Sequence, residues 1–208
     1  IYHYGYDLGR NTVKRKFERT SKMLKKAIQK DPSNFRHHHD LAICYTSMGM
    51  FGRAVKEGHR AISLYKKHEN RDPNILWTYF VTASSYFNLG QVDEAKREAQ
   101  EAIKMDPEHI DSYFVLASIS AMKWDLRGFE KIYYKTVRLI KKYRGQPELL
   151  SGLVVNKINE KWRLDLDYAT LLLGQDRQQR AKKYFAMAIN QSNRQPDVYR
   201  MIVVKCRQ

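Results

Sequence analysis

The sequence predicts an all-α fold built as a repeat of antiparallel helix pairs. Three observations predict it. Small and aromatic residues recur in one frame along most of the chain. Five prolines and ten glycines are too few for a β fold crowded with tight turns. With 43% hydrophobic residues in 208, the chain can bury one sizeable core.

The frame is clearest at Ala83-Ser84-Ser85-Tyr86-Phe87-Asn88-Leu89-Gly90, followed by Ala95, Ala99, Ala102 and Pro107. A small residue is followed by an aromatic after three positions, a glycine after seven and an alanine after twelve. Ala83, Ala95 and Ala102 let two helices approach closely, Gly90 supplies the turn, and Pro107 ends the second helix. Upstream, Ala42, Tyr45, Gly49, Ala54 and Ala61 repeat the frame, with Leu41 before them. Downstream, Tyr113, Leu116 and Ala117 open another unit, in which Trp124 stands for the turn glycine and Phe129 for the alanine. Tyr168, Ala169, Leu172, Ala181, Phe185 and Ala188 form the last one.

The elements expected in order are a tail of a preceding domain at 1–12 and a leading helix at 13–34. Three repeat units at 35–142 follow, then an apolar insertion at 143–161, a fourth unit at 162–194 and a capping helix at 195–208. Leu24, Ala27 and Pro32 read as the second helix of a unit whose first is missing. Successive frame alanines, Ala42, Ala83, Ala117 and Ala169, stand 41, 34 and 52 residues apart. The first excess fits around Lys66–Asp72. The second fits around Tyr143–Lys161, where Leu149-Leu150-Ser151-Gly152-Leu153-Val154-Val155 is too apolar for a solvated loop. The insertion is expected to pack on the repeats or extend a helix.

This pattern resembles the tetratricopeptide repeat, whose period is about 34 residues. The resemblance is fullest over 35–107 and weakest in the insertion. It implies a right-handed α-α superhelix in which the first helix of each pair lines a concave groove. The inward positions become Arg36, His39, Ile43 and Thr46 in one unit and Trp77, Phe80, Ser84 and Phe87 in the next. Asp111, Phe114, Ser118 and Ala121 follow. A protein or peptide ligand would lie along Arg36, His39, Ile43, Trp77, Phe80, Ser84, Phe87, Phe114 and Ser118. Some tetratricopeptide domains clamp a C-terminal carboxylate with Lys and Asn. Here those positions hold His39, Ile43 and Val81, so a chaperone-tail receptor is disfavoured.

A second resemblance covers residues 1–32. Ile1-Tyr2-His3-Tyr4-Gly5-Tyr6-Asp7, then Lys16-Phe17-Glu18-Arg19-Thr20, Leu24 and Asp31-Pro32, is similar to the junction in bacterial family 2 glycosyltransferases that carry C-terminal tetratricopeptide repeats. It implies a catalytic nucleotide-sugar domain before Ile1, with His3 at its end. The absence of an initiating methionine fits such a fragment.

The chain itself carries no convincing catalytic constellation. His37, His38 and His39 are consecutive, so on a helix they point about 100° apart and cannot share a metal. Asp165 and Asp167 face different sides of a helix, while Glu94, Glu98 and Glu101, interleaved with Lys96 and Arg97, read as a solvated face. No cofactor and no metal is expected. Cys44 and Cys206 have no ligand spacing and point to a reducing, cytoplasmic compartment. No run approaches the about 18 apolar residues of a transmembrane segment.

The leading expectation is a protein-interaction scaffold that positions a protein acceptor or mediates self-association as a homo-oligomer. The alternative is a basic module for nucleic acid or another anionic polymer. It rests on the net charge of +16, from 38 Lys+Arg against 22 Asp+Glu, and on the interleaved Tyr, Lys and Arg of 131–135 and 141–144.

Overall fold

The computed structural model describes residues 10–68, 72–150 and 155–192. The tail with His3, residues 69–71, residues 151–154 of the insertion, and the expected capping helix with Cys206 lie outside the described residues. Among the described residues every regular element is helical, and the chain divides into two compact units, Ile1–Gln91 and Val92–Gln208.

The first unit holds α1 (Arg10–Lys30), α2 (Phe35–Ser47), α3 (Phe51–Lys67) and α4 (Ile75–Asn88). Asp31-Pro32 follows the end of α1, and Asn34 starts α2 by accepting the Arg36 backbone N–H on its side chain at 3.1 Å. Leu24 of α1 is buried with Leu41 and Tyr45 of α2 and Ala54 of α3, and Phe17, Ile28 and Cys44 pack against them. On α3 the buried stripe is small (Ala54, Gly58, Ala61), which brings α4 close. A Cβ on Gly58 would stand 2.1 Å from Thr82 Oγ1. Only a glycine permits that approach.

The second unit holds α5 (Val92–Met105), α6 (Ile110–Met122), α7 (Leu126–Gly145), a 3-10 turn (Pro147–Leu150), α8 (Lys161–Leu173) and α9 (Gln178–Gln191). Its core is aromatic where the frame lacks small residues. Phe129, fully buried at an alanine position, stacks near Tyr133 and Tyr168, with ring centroids at 6.1 and 5.8 Å. Tyr168 in turn lies 4.5 Å from Tyr184 of α9. Asp165 is fully buried beneath these rings. It accepts the Tyr133 hydroxyl at 2.6 Å, the Lys161 ammonium at 2.7 Å and the Gln191 side-chain amide at 2.9 Å. A carboxylate is tolerated there because its oxygens are met by donors.

Four helix-to-helix turns share one geometry. Gly49 (φ 69°), Gly90 (φ 75°), Trp124 (φ 54°) and Asp176 (φ 54°) are left-handed. The N–H of each bonds the carbonyl three residues back, and the next N–H bonds five back, as Gly49 to Thr46 at 3.0 Å and Met50 to Tyr45 at 2.9 Å. This is the Schellman closure of a helix end. The four residues stand 41, 34 and 52 apart, the intervals of the frame alanines. Trp124 therefore performs the glycine's backbone role with a side chain attached.

The first residues of the 143–161 insertion extend a helix, as α7 continues to Gly145. Beyond it, Leu150, Val155 and Ile158 pack against the buried cluster of the second unit.

Candidate functional site

In the first unit the expected inward residues fall along α2 and α4, and two hydrogen bonds hold these helices side by side. His39 Nδ1 meets Thr78 Oγ1 at 2.7 Å, and Thr46 Oγ1 meets Ser85 Oγ at 3.0 Å. Between and beside them Ile43, Trp77, Phe80, Ser84 and Phe87 are half-buried. Trp77, Phe80, Ser84 and Phe87 recur at helical spacing on one face of α4, a helix without a charged residue.

His39 is placed otherwise than as a groove contact. It is 6% exposed, its Nδ1 is engaged by Thr78, and its ring stands edge-on behind Trp77 at 5.4 Å. Burial pushes its pKa below that of an ordinary histidine, so it is neutral at pH 7. It supports the aromatic wall. Arg36 is exposed but engaged, with its guanidinium 2.7 Å from the Asp72 carboxylate. Asp72 stays below the usual carboxylate range: burial pushes it up, but the Asn74 backbone N–H and Arg36 outweigh that. The other histidines of the run diverge, as His38 Nδ1 donates to Glu57 at 2.7 Å on α3. Among the described residues no group of three His, Cys, Asp or Glu side chains is placed to hold a metal ion.

In the second unit the inward side of α6 is covered by the chain itself. Asp111, fully buried, accepts the backbone N–H groups of Asn156 at 2.9 Å and Lys157 at 2.8 Å. Burial raises its pKa, and those two donors oppose the rise. Beside it, the His109 Nδ1 meets Ser112 Oγ at 2.8 Å, while the buried Nε2 has no hydrogen-bond partner among the described residues. Burial pushes the His109 pKa down. Phe114, also expected in the groove, is 6% exposed and belongs to the core cluster; Ser118 is half-buried. The insertion residues Asn156 and Lys157 thus pack against Asp111 of α6. The sequence leads to the expectation that the insertion packs on the repeats, but the backbone donors that fasten it have no residue signature.

Residues 78–109 match the family model of the tetratricopeptide repeat. Over these residues the chain carries a tetratricopeptide repeat. No curated protein matches it. Solved structures agree in fold. MamA 41-end from Desulfovibrio magneticus RS-1 is 15% identical, with a TM-score of 0.64 over 89% of this chain and 94% of that one. A thermophilic tetratricopeptide protein of Thermus thermophilus is 15% identical, with a TM-score of 0.64 over 92% and 91%. YrrB, described as a tetratricopeptide protein with an unusual peptide-binding site, is 13% identical, with a TM-score of 0.59 over 94% and 86%. The domain thus shares its all-helical architecture with these proteins. No helix among its described residues is long and apolar enough to cross a membrane.

Proposed function

We propose that the domain holds a protein or peptide segment on the α2–α4 face of its first unit. The observation that carries this reading is the half-buried aromatic row Trp77, Phe80 and Phe87 on a helix with no charge. Partly exposed aromatic rows of this kind supply anchors of binding surfaces. Ile43 and Ser84 complete the surface, and His39 and the Arg36–Asp72 pair fix its backing. The peptide-binding site ascribed to YrrB supports the same use of the fold. Peptides selected from a displayed library against the domain test the reading. Phe80→Ala with Phe87→Ala should weaken the selected peptide at least about tenfold with unchanged far-ultraviolet helicity. Unchanged affinity would remove this face from consideration.

The finer reading places the domain at the C-terminal end of a cytoplasmic family 2 glycosyltransferase, positioning a protein acceptor or joining copies of the chain. Its support is the Ile1–Pro32 resemblance alone. The gene sequence upstream of Ile1 tests it: an α/β domain with paired aspartates supports it, and any other domain overturns it.

A further inference from the structure

Helix α7 presents a row of cations without ion-paired carboxylates among the described residues, although Glu108 feels the charge of Lys135. Arg127, Lys131, Tyr134, Lys135, Arg138 and Lys141 are all exposed. At 100° per residue they fall within an arc of about 120°, and the row is about 21 Å long. None of the five cations has an ion-pair partner among the described residues. The adjacent Lys142 is engaged by Glu108, and Glu130 at the edge of the face is engaged by Tyr168 and Arg180. The opposite side of the helix is anchored by buried Leu126, Phe129, Tyr133, Leu139 and Ile140, so the row is held in register.

Like charges three and four apart on a helix repel one another, and the net charge of +16 adds to that field. A polyanion relieves both. Tyr134 indicates which polyanion. Its ring is 51% exposed, stands edge-on to Tyr133 at 5.4 Å, and its hydroxyl lies 3.4 Å from that of Tyr168. A fixed, half-exposed aromatic ring between cations offers a stacking platform, which a base uses and an acidic peptide does not. No apolar side chain accompanies it on this face to enter a lipid surface.

We propose that α7 is a binding face for single-stranded nucleic acid, with the five cations on successive phosphates and Tyr134 stacked on a base. This surface is distinct from the α2–α4 face, and neither reading depends on the other.

The test is fluorescence anisotropy of the whole chain with a labelled oligo-dT of about 20 nucleotides, across about 50 to 300 mM salt. The logarithm of affinity should fall against that of salt with a slope of about −3.5, about 0.7 for each of five phosphates. Lys131→Gln, Lys135→Gln and Arg138→Gln together should lower that slope by about two. Tyr134→Ala should keep the slope and weaken binding about tenfold or more, while Tyr134→Phe should retain affinity. All these residues are exposed, and circular dichroism verifies that each variant folds. Absence of binding at low salt overturns the proposal. So does competition by poly-glutamate equal to that of oligo-dT, or wild-type affinity in Tyr134→Ala. Loss of slope from the α1 substitutions Lys22→Gln, Lys25→Gln and Lys26→Gln as large as that from the α7 triple also overturns it.

Discussion

The Asp111 carboxylate accepts the Lys157 backbone N–H at 2.8 Å across 46 residues of sequence, and through this bond the insertion is fastened to α6. The second N–H, from Asn156, shares the same side chain. Asp111→Ala should therefore leave two backbone donors without acceptors and release the segment around 155–160. We expect a loss of about 2 kcal/mol of stability, the scale of hydrogen bonds to a charged acceptor. Hydrogen exchange at Asn156 and Lys157 should rise well before the rest of the unit exchanges. Unaltered protection there would show that apolar packing alone holds the insertion.

Gly58 and Thr82 form a close contact between α3 and α4. A methyl group at position 58 would meet Thr82 Oγ1 at 2.1 Å, and that hydroxyl is held by the Thr78 carbonyl at 2.8 Å. Gly58→Ala should cost about 1–3 kcal/mol by overpacking. Adding Thr82→Ala should restore part of that loss, which a double-mutant cycle in urea measures as a coupling. Strict additivity would mean that the helices yield elsewhere.

Trp124 and Asp176 hold left-handed backbone that glycine adopts without strain. Trp124→Gly should be more stable than Trp124→Ala by about 1 kcal/mol, since both lose the indole but only glycine loses the strain. The indole also lies against Gly174, where an added Cβ would come within 2.6 Å of it. Gly174→Ala should therefore shift the Trp124 fluorescence. Thermal melts and emission spectra check both outcomes.

Two buried histidines give the fold a pH dependence of known sign. Burial depresses the folded pKa of His39 and His109 below 6.5. The unfolded chain thus binds more protons than the folded one just below 6.5. Their contribution to stability is present above that pH and is lost as pH falls through the folded values. The melting temperature should drop between about pH 7 and 5. His39→Gln, which can keep a bond to Thr78, should flatten the profile; an equally steep profile in the variant would remove His39 as a cause.

Much of this architecture is legible from a few residues. The alanines of the frame, Gly49 and Gly90 mark close packing and a left-handed turn, and both requirements act through residue type. Trp124 is legible as the occupant of a glycine position; Asp176, at the same place in the last pair, carries no such mark because Asp is common in any turn. The candidate site is less legible. Helical spacing places His39 and Phe114 inward, but spacing does not reveal what lies over a face. His39 is covered through its bond to Thr78, and Phe114 is part of an aromatic core assembled from four helices. The fastening of the insertion depends on main-chain donors, and the Tyr133–Asp165 bond joins residues 32 apart.

The four left-handed turns also define where the chain can be lengthened. From frame residue to turn to second helix, Ala42–Gly49–Ala54, Ala83–Gly90–Ala95, Ala117–Trp124–Phe129 and Ala169–Asp176–Ala181 keep identical internal counts. All length variation falls between one pair and the next. A reporter peptide or recognition tag grafted after α3 or after the 3-10 turn would follow a route the protein already uses, whereas one residue added inside a hairpin would rotate its second helix by about 100° and expose its buried stripe.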